Sequence, residues 1–177
     1  MTSMYGISIV FKSKDIIGQN TPGLDHFGIS IMQQRDRVLS TFRVWGNIQL
    51  AAQPNNNAQL QEIIPLLQLL RHELQHLMVD KLSGGQKHQL SLAMTLATHP
   101  RLVIFDEPSA GSSPIAVEEM YTIFRAIRER LGVSIILIEQ NVTKTVEFSN
   151  HCVTLEQGAI KRIVPHHINT NECLPKQ

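Results

Sequence analysis

Two continuous apolar runs, RLVIFDE at 101–107 and VSIILIE at 133–139, constrain this chain more than any other feature. Runs of this kind are typical of strands buried on both faces of a parallel sheet. Between them Val117, Met120, Tyr121, Phe124, Ile127 and Leu131 recur with a 3.6-residue period, and Gly132 closes that helix. Strand, helix and strand in this order make a β-α-β unit, so the expected class is α/β with a mostly parallel sheet. The carboxylates of Asp106 and Glu107 would emerge at the C-terminal edge of that sheet. As neighbours on a strand they would point to opposite faces and so hold different tasks.

The remaining segments fit around this unit. ISIVF at 7–11, closed off by KSKD, reads as a short strand, and GISIM at 28–32 as another, with Gln33 and Gln34 at its end. PNNN at 54–57 is a loop. From 58 to 79, Leu60, Ile63, Ile64, Leu67, Leu70, Leu74 and Leu77 have helical spacing, and Pro65 imposes a kink or a division into two helices. A helix over about 141–149 and a hairpin, VTLEQGAIKRIV, turning at Gln157-Gly158, follow. The tail from about 165 to 177 reads as disordered.

Length and composition set the outer limits. At 177 residues the chain suits one domain with a sizeable core. Sixteen basic residues against fifteen acidic ones, without a charged block, offer no nucleic-acid footprint. Cys152 and Cys173 have no C-x-x-C spacing, and MTSMYGISIVFKSKD lacks the order of a signal peptide, which points to a reducing cytoplasm. The most apolar stretch, IIPLLQLL at 63–70, is far short of the roughly 20 residues of a membrane span.

LSGGQ at 82–86 precedes a helix whose core face would be Leu90, Ala93, Met94 and Ala97, with Ser83 as its N-cap. A helix start offers free N–H groups and a positive dipole end, and Gly84 and Gly85 remove Cβ atoms that would hold a phosphate away. Alone, the stretch reads equally well as an ordinary glycine turn. An isolated Asp-Glu pair is likewise more often a solvated strand end than a metal site. His72 and His76 have i, i+4 spacing but no third ligand beside them, which favours solvated helix histidines.

LSGGQ, one helix, HPRLVIFDEPSAG, a second helix and SIILIEQN, taken in that order, resemble the ATP-binding cassette ATPases, the motor subunits of ABC transporters. The resemblance runs from about residue 7 to 164, and DEPSAGSSP with ILIEQN is most similar to the ATPase subunits of branched-chain amino-acid importers. It implies a P-loop NTPase-like, mostly parallel sheet with a helical subdomain inserted at about 43–98, whose residues 43 to 80 would face a permease. It further implies ATP and Mg²⁺ as cofactors, transmembrane permease subunits and a second ATPase subunit as partners, and a cytoplasmic position on the inner face of the cell membrane. By resemblance, Ser83, Gly84, Gly85 and Gln86 would touch the γ-phosphate of a nucleotide held by the partner subunit. Asp106 would bind Mg²⁺, Glu107 would act as general base, and Gln34 would sense Mg²⁺ in the glutamine loop. Gln140 takes the place of a switch histidine, Ser113 that of an aspartate, and Thr95 that of an arginine.

The family's phosphate loop, G-x-x-x-x-G-K-[ST], is missing from these residues, because no lysine here follows a glycine. Gly6 to Ser13 imitates the spacing with Phe11 in place of the second glycine. A β-branched run with that phenylalanine cannot wrap its amides around phosphate. The expectation is therefore an N-terminally truncated cassette with little or no ATPase activity by itself. One alternative is a catalytically dead half that completes a partner's site, and another is a non-transport ATPase lobe. The transported solute is not legible, since selectivity belongs to the permease.

Overall fold

The computed structural model describes residues 8–33, 38–52, 65, 67, 72–140 and 142–165. At its centre is a three-stranded parallel sheet made of β3 (Ile29–Met32), β4 (Leu102–Asp106) and β5 (Ser134–Ile138), in the order β3-β4-β5. The register sets Met32 beside Phe105 and Phe105 beside Leu137, so the expected parallel α/β core is present. Helix α4 (Gly84–Ala97) leads into β4, and α5 (Pro114–Leu131) joins β4 to β5 as the crossover.

One face of the sheet carries the core. Val103 and Phe105 are fully buried there, packed with Leu90, Leu96, Met120, Phe124 and Ile127. Phe105 stacks on Phe124 with ring centroids 4.2 Å apart, and Phe148 of α6 (Val142–Phe148) lies 6.1 Å from Phe124. Complete burial of each such side chain contributes about 1.5–3 kcal/mol. The opposite face departs from expectation. The register aligns Ile31, Ile104 and Ile136, of which the first two are only partly buried and Ile136 is 47% exposed. The strand at 101–107 is thus fully covered by the described residues on one side only, where Val103 and Phe105 pack against α4 and α5.

Chain ends of the helices follow local chemistry. Ser113 caps α5 by accepting from the Ala116 amide at 3.3 Å, Pro114 sits where a missing N–H costs nothing, and Gly132, at φ 63°, ends it in the left-handed region. β6 (His151–Glu156) and β7 (Ala159–Pro165) form the expected hairpin, with Gln157 and Gly158 both at positive φ as a type I′ turn requires.

Two expectations need correction. ISIVF is not a five-residue strand among the described residues. β1 (Val10–Phe11) pairs antiparallel with β2 (Lys14–Asp15), and Lys12 and Ser13 turn between them at positive φ. The segment KSKD therefore supplies a turn and a second strand instead of stopping the first. A helix, α2 (Val44–Ala51), lies inside the stretch that the resemblance expects to be helical, although no apolar period marks it. Of the 58–79 pattern, most positions lie outside the described residues. Leu67 is buried, the described part of the pattern includes the helix α3 (His72–Gln75), and Leu77 is exposed, beyond the C-terminal end of α3. Completing the element order, α1 (Thr21–Leu24) precedes β3. The tail beyond 165 is also outside the described residues.

Candidate functional site

The carboxyl ends of β4 and β5 bring several expected residues together. Asp106 is the last residue of β4 and is exposed. Glu107 leaves the strand in the left-handed conformation, φ 48°, which L-residues adopt at a cost. The alternation expected to separate the two carboxylates thus stops at Asp106. Glu107 is instead oriented by the turn it begins. Its amide donates to the Ile138 carbonyl at 2.9 Å and its carbonyl accepts from Ala110 at 3.1 Å. Its carboxylate Oε1 accepts from Nε2 of Gln140 at 2.6 Å. Glu107 and Gln140, 33 residues apart in the chain, are therefore in direct contact.

Glu139 belongs to the same cluster, although no motif in the sequence singles it out. Its Oε1 accepts from the Ser109 amide at 2.8 Å. The signal was available in ILIEQN, where an acid ends a strand parallel to the one that ends in Asp106-Glu107. Nearby, burial first, and then the negative charge of Glu139, raise the Tyr121 hydroxyl above its ordinary value, while its bond to Thr145 Oγ1 at 3.3 Å opposes them.

The LSGGQ segment forms the start of α4 as expected. Ser83 is the N-cap, accepting from the Gln86 amide at 3.3 Å, while Oε1 of Gln86 accepts from the Ser83 amide at 2.9 Å. This reciprocal pair is a capping box, legible in S-x-x-Q. Leu82 is buried and anchors the turn. A Cβ added at Gly84 or Gly85 would meet nothing within 4 Å, so both glycines face open space. The side chains of Ser83 and Gln86 are committed to the cap. What the segment offers outward is the bare backbone of two glycines at a positive dipole end.

Of the other residues singled out, Thr95 bonds back to the Ser91 carbonyl at 2.9 Å and Ser113 serves as the α5 cap. Gln34 lies outside the described residues. Described residues hold no group of three or more His, Cys, Asp and Glu able to cage a metal, His76 included. Mg²⁺ is commonly held by one or two carboxylates together with substrate phosphates and water, a donor set that Asp106 beside Glu107 fits. No helix among the described residues is long and apolar enough to cross a membrane.

Comparison with known proteins bears on the fold and the family. The branched-chain amino acid transport ATP-binding protein BraG of Pseudomonas aeruginosa is 26% identical over 163 residues, covering 90% of this chain and 68% of that protein. The probable branched-chain amino acid transport ATP-binding protein LivF of Archaeoglobus fulgidus is 27% identical over 169 residues, 90% of this chain and 72% of its own length. The crystal structure of the ADP conformation of MJ1267, an ATP-binding cassette of an ABC transporter, superposes with a TM-score of 0.77 at 20% identity. It covers 89% of this chain and 68% of that one. The fold is thus that of the P-loop NTPase-like cassettes. The family description "ABC transporter" matches residues 8–110, more than half of the sequence, and on that match the chain belongs to the ABC transporter family.

Proposed function

We propose that this chain works as the ATP-binding subunit of an ABC importer, in which ATP binding and hydrolysis energise solute uptake. The observation that carries this reading is the 2.6 Å contact between Gln140 and Glu107 at the carboxyl ends of two parallel strands. It holds a carboxylate beside Asp106, where an attacking water and a phosphate-bound Mg²⁺ need opposite duties from two neighbouring acids. In this account Asp106 holds the metal and Glu107 draws the proton from water. Gln140 orients Glu107 and donates to phosphate, and Gln34, two residues beyond β3 in sequence, contributes to the metal. The amides of Gly84 and Gly85, presented by the Ser83 and Gln86 cap, receive the γ-phosphate of a nucleotide held by a second ATPase subunit.

The helical subdomain, about 43–98, faces a transmembrane permease in this reading and keeps the subunit on the inner face of the membrane. Exposed Leu50 and Leu77 within that region, and Leu39 and Phe42 just ahead of it, support a docking role there. Branched-chain amino acids as solute are supported by the names of the two relatives above. These 177 residues hold no glycine loop followed by lysine, so we infer that the chain alone does not grip ATP.

Calorimetric titration with MgATP tests the reading. The 177-residue chain is to give no saturable heat. The same chain with the phosphate-loop segment of BraG fused ahead of residue 8 is to bind one nucleotide per chain. Saturable binding by the unfused chain, or none by a folded fusion, would count against it.

A further inference from the structure

The tripeptide Ile138-Glu139-Gln140, at the end of β5, holds the turn after β4 by three different groups. The Ile138 carbonyl accepts from the Glu107 amide at 2.9 Å. Glu139 Oε1 accepts from the Ser109 amide at 2.8 Å. Gln140 Nε2 donates to Glu107 Oε1 at 2.6 Å. A left-handed backbone at a non-glycine residue such as Glu107 persists only where its surroundings over-determine it. The first contact is backbone to backbone and fixes only where the turn begins. The second reaches two residues further, and a carboxylate accepting from an amide is a charge-assisted bond, shorter and stronger than a neutral one.

Resting on the reading of Glu107 as the group that takes the proton from water, we propose that Glu139 is a positioning residue for the Glu107–Gln140 pair. Its carboxylate clamps Ser109 and so fixes the turn that aims the Glu107 carboxylate at Gln140. Glu139 touches no reacting atom in this account. It acts through the backbone of 107–109, and its side chain is partly shielded from water, where the bond is stronger than on an open surface. The Glu107 side chain has two carbons between its backbone and its carboxylate. A small rotation of the turn therefore moves the carboxylate out of hydrogen-bond reach of Gln140 Nε2.

Nuclear magnetic resonance of the nucleotide-free full chain tests this without turnover, so a failure of the ATPase reading would not be mistaken for a failure of this one. Two signals are followed in Glu139→Ala, Glu139→Gln and Glu139→Asp: hydrogen exchange at the Ser109 amide and the side-chain amide resonances of Gln140. In Glu139→Ala, Ser109 is to exchange about threefold to tenfold faster and the Gln140 resonances are to shift toward those of a solvated amide. Glu139→Gln keeps an oxygen at the same reach and is to restore both. Faster Ser109 exchange with unmoved Gln140 resonances would overturn the proposal, leaving Glu139 a local anchor. Unchanged exchange would overturn it too. Should Glu139→Ala fail to fold, Glu139→Asp, one methylene shorter, is to reproduce both changes, and wild-type behaviour there would contradict the account.

Discussion

Gln140 donates its side-chain amide to the Glu107 carboxylate at 2.6 Å, and these two residues lie just past the carboxyl ends of the neighbouring parallel strands β5 and β4. The contact is on the surface, so its net worth to folding is small, about 0.5–1.5 kcal/mol. In the proposed function its value is larger, because it would fix one carboxylate oxygen and leave the other to accept from water. Gln140→Ala should therefore leave thermal stability nearly unchanged. In the phosphate-loop fusion it should lower turnover about 10- to 100-fold, within the range of a single lost catalytic orientation. Melting curves and steady-state hydrolysis by the same preparations check both halves.

Gly85 separates folding from phosphate contact. A Cβ there meets nothing within 4 Å, and alanine is the better helix former by about 0.5–1 kcal/mol. Gly85→Ala should raise stability or leave it unchanged while weakening the helix start as an anion seat. Ser83→Ala should instead cost about 1 kcal/mol through the lost cap. Denaturant midpoints, read beside hydrolysis by the fusion dimer, distinguish the two effects.

The core pairing of Phe105 and Phe124, stacked at 4.2 Å, carries a larger share of stability. Phe124→Ala should destabilise the chain by about 3–5 kcal/mol, comparable to much of the stability of a domain this size. Urea unfolding would show it directly.

Tyr121 gives the fold a pH dependence in the alkaline range. Burial, chiefly, and then the nearby Glu139 charge raise its hydroxyl above the ordinary 10.0, with Thr145 pulling the other way. Because the folded state binds this proton more tightly than the unfolded one, the contribution is fully present below pH 10 and is lost as pH rises through the folded value. Ultraviolet titration should show one tyrosine ionising late, and Tyr121→Phe should remove that phase together with part of the alkaline loss of stability.

How far the sequence revealed these features depended on whether a local pattern or a distant contact decided each one. The β-α-β unit was legible because unbroken apolar runs and a 3.6-residue period describe its buried surfaces directly. The Ser83 cap was legible for the same local reason. Helix α2 was not, since its buried side includes Asn47, whose amide is satisfied by Leu39 and by the Arg43 carbonyl. A polar residue inside the apolar stripe breaks the period, and no side chain caps the start at Arg43. The hairpin at Val10–Asp15 was hidden because its turn uses Lys12 and Ser13 at positive φ, positions where glycine or asparagine is the usual signal. Glu139 is less legible because its partner is a backbone amide 30 residues away, and only its place at the end of a parallel strand hints at it.

The central claim is that these residues hold the hydrolytic end of a cassette ATP site. The most direct test is steady-state ATP hydrolysis by the phosphate-loop fusion, wild type against Glu107→Gln, an exchange of nearly equal shape that removes only the proton acceptor. The account predicts measurable turnover in the wild-type fusion and a loss of about 10²-fold or more in the variant, with ATP still bound. Equal turnover in the two proteins would contradict it.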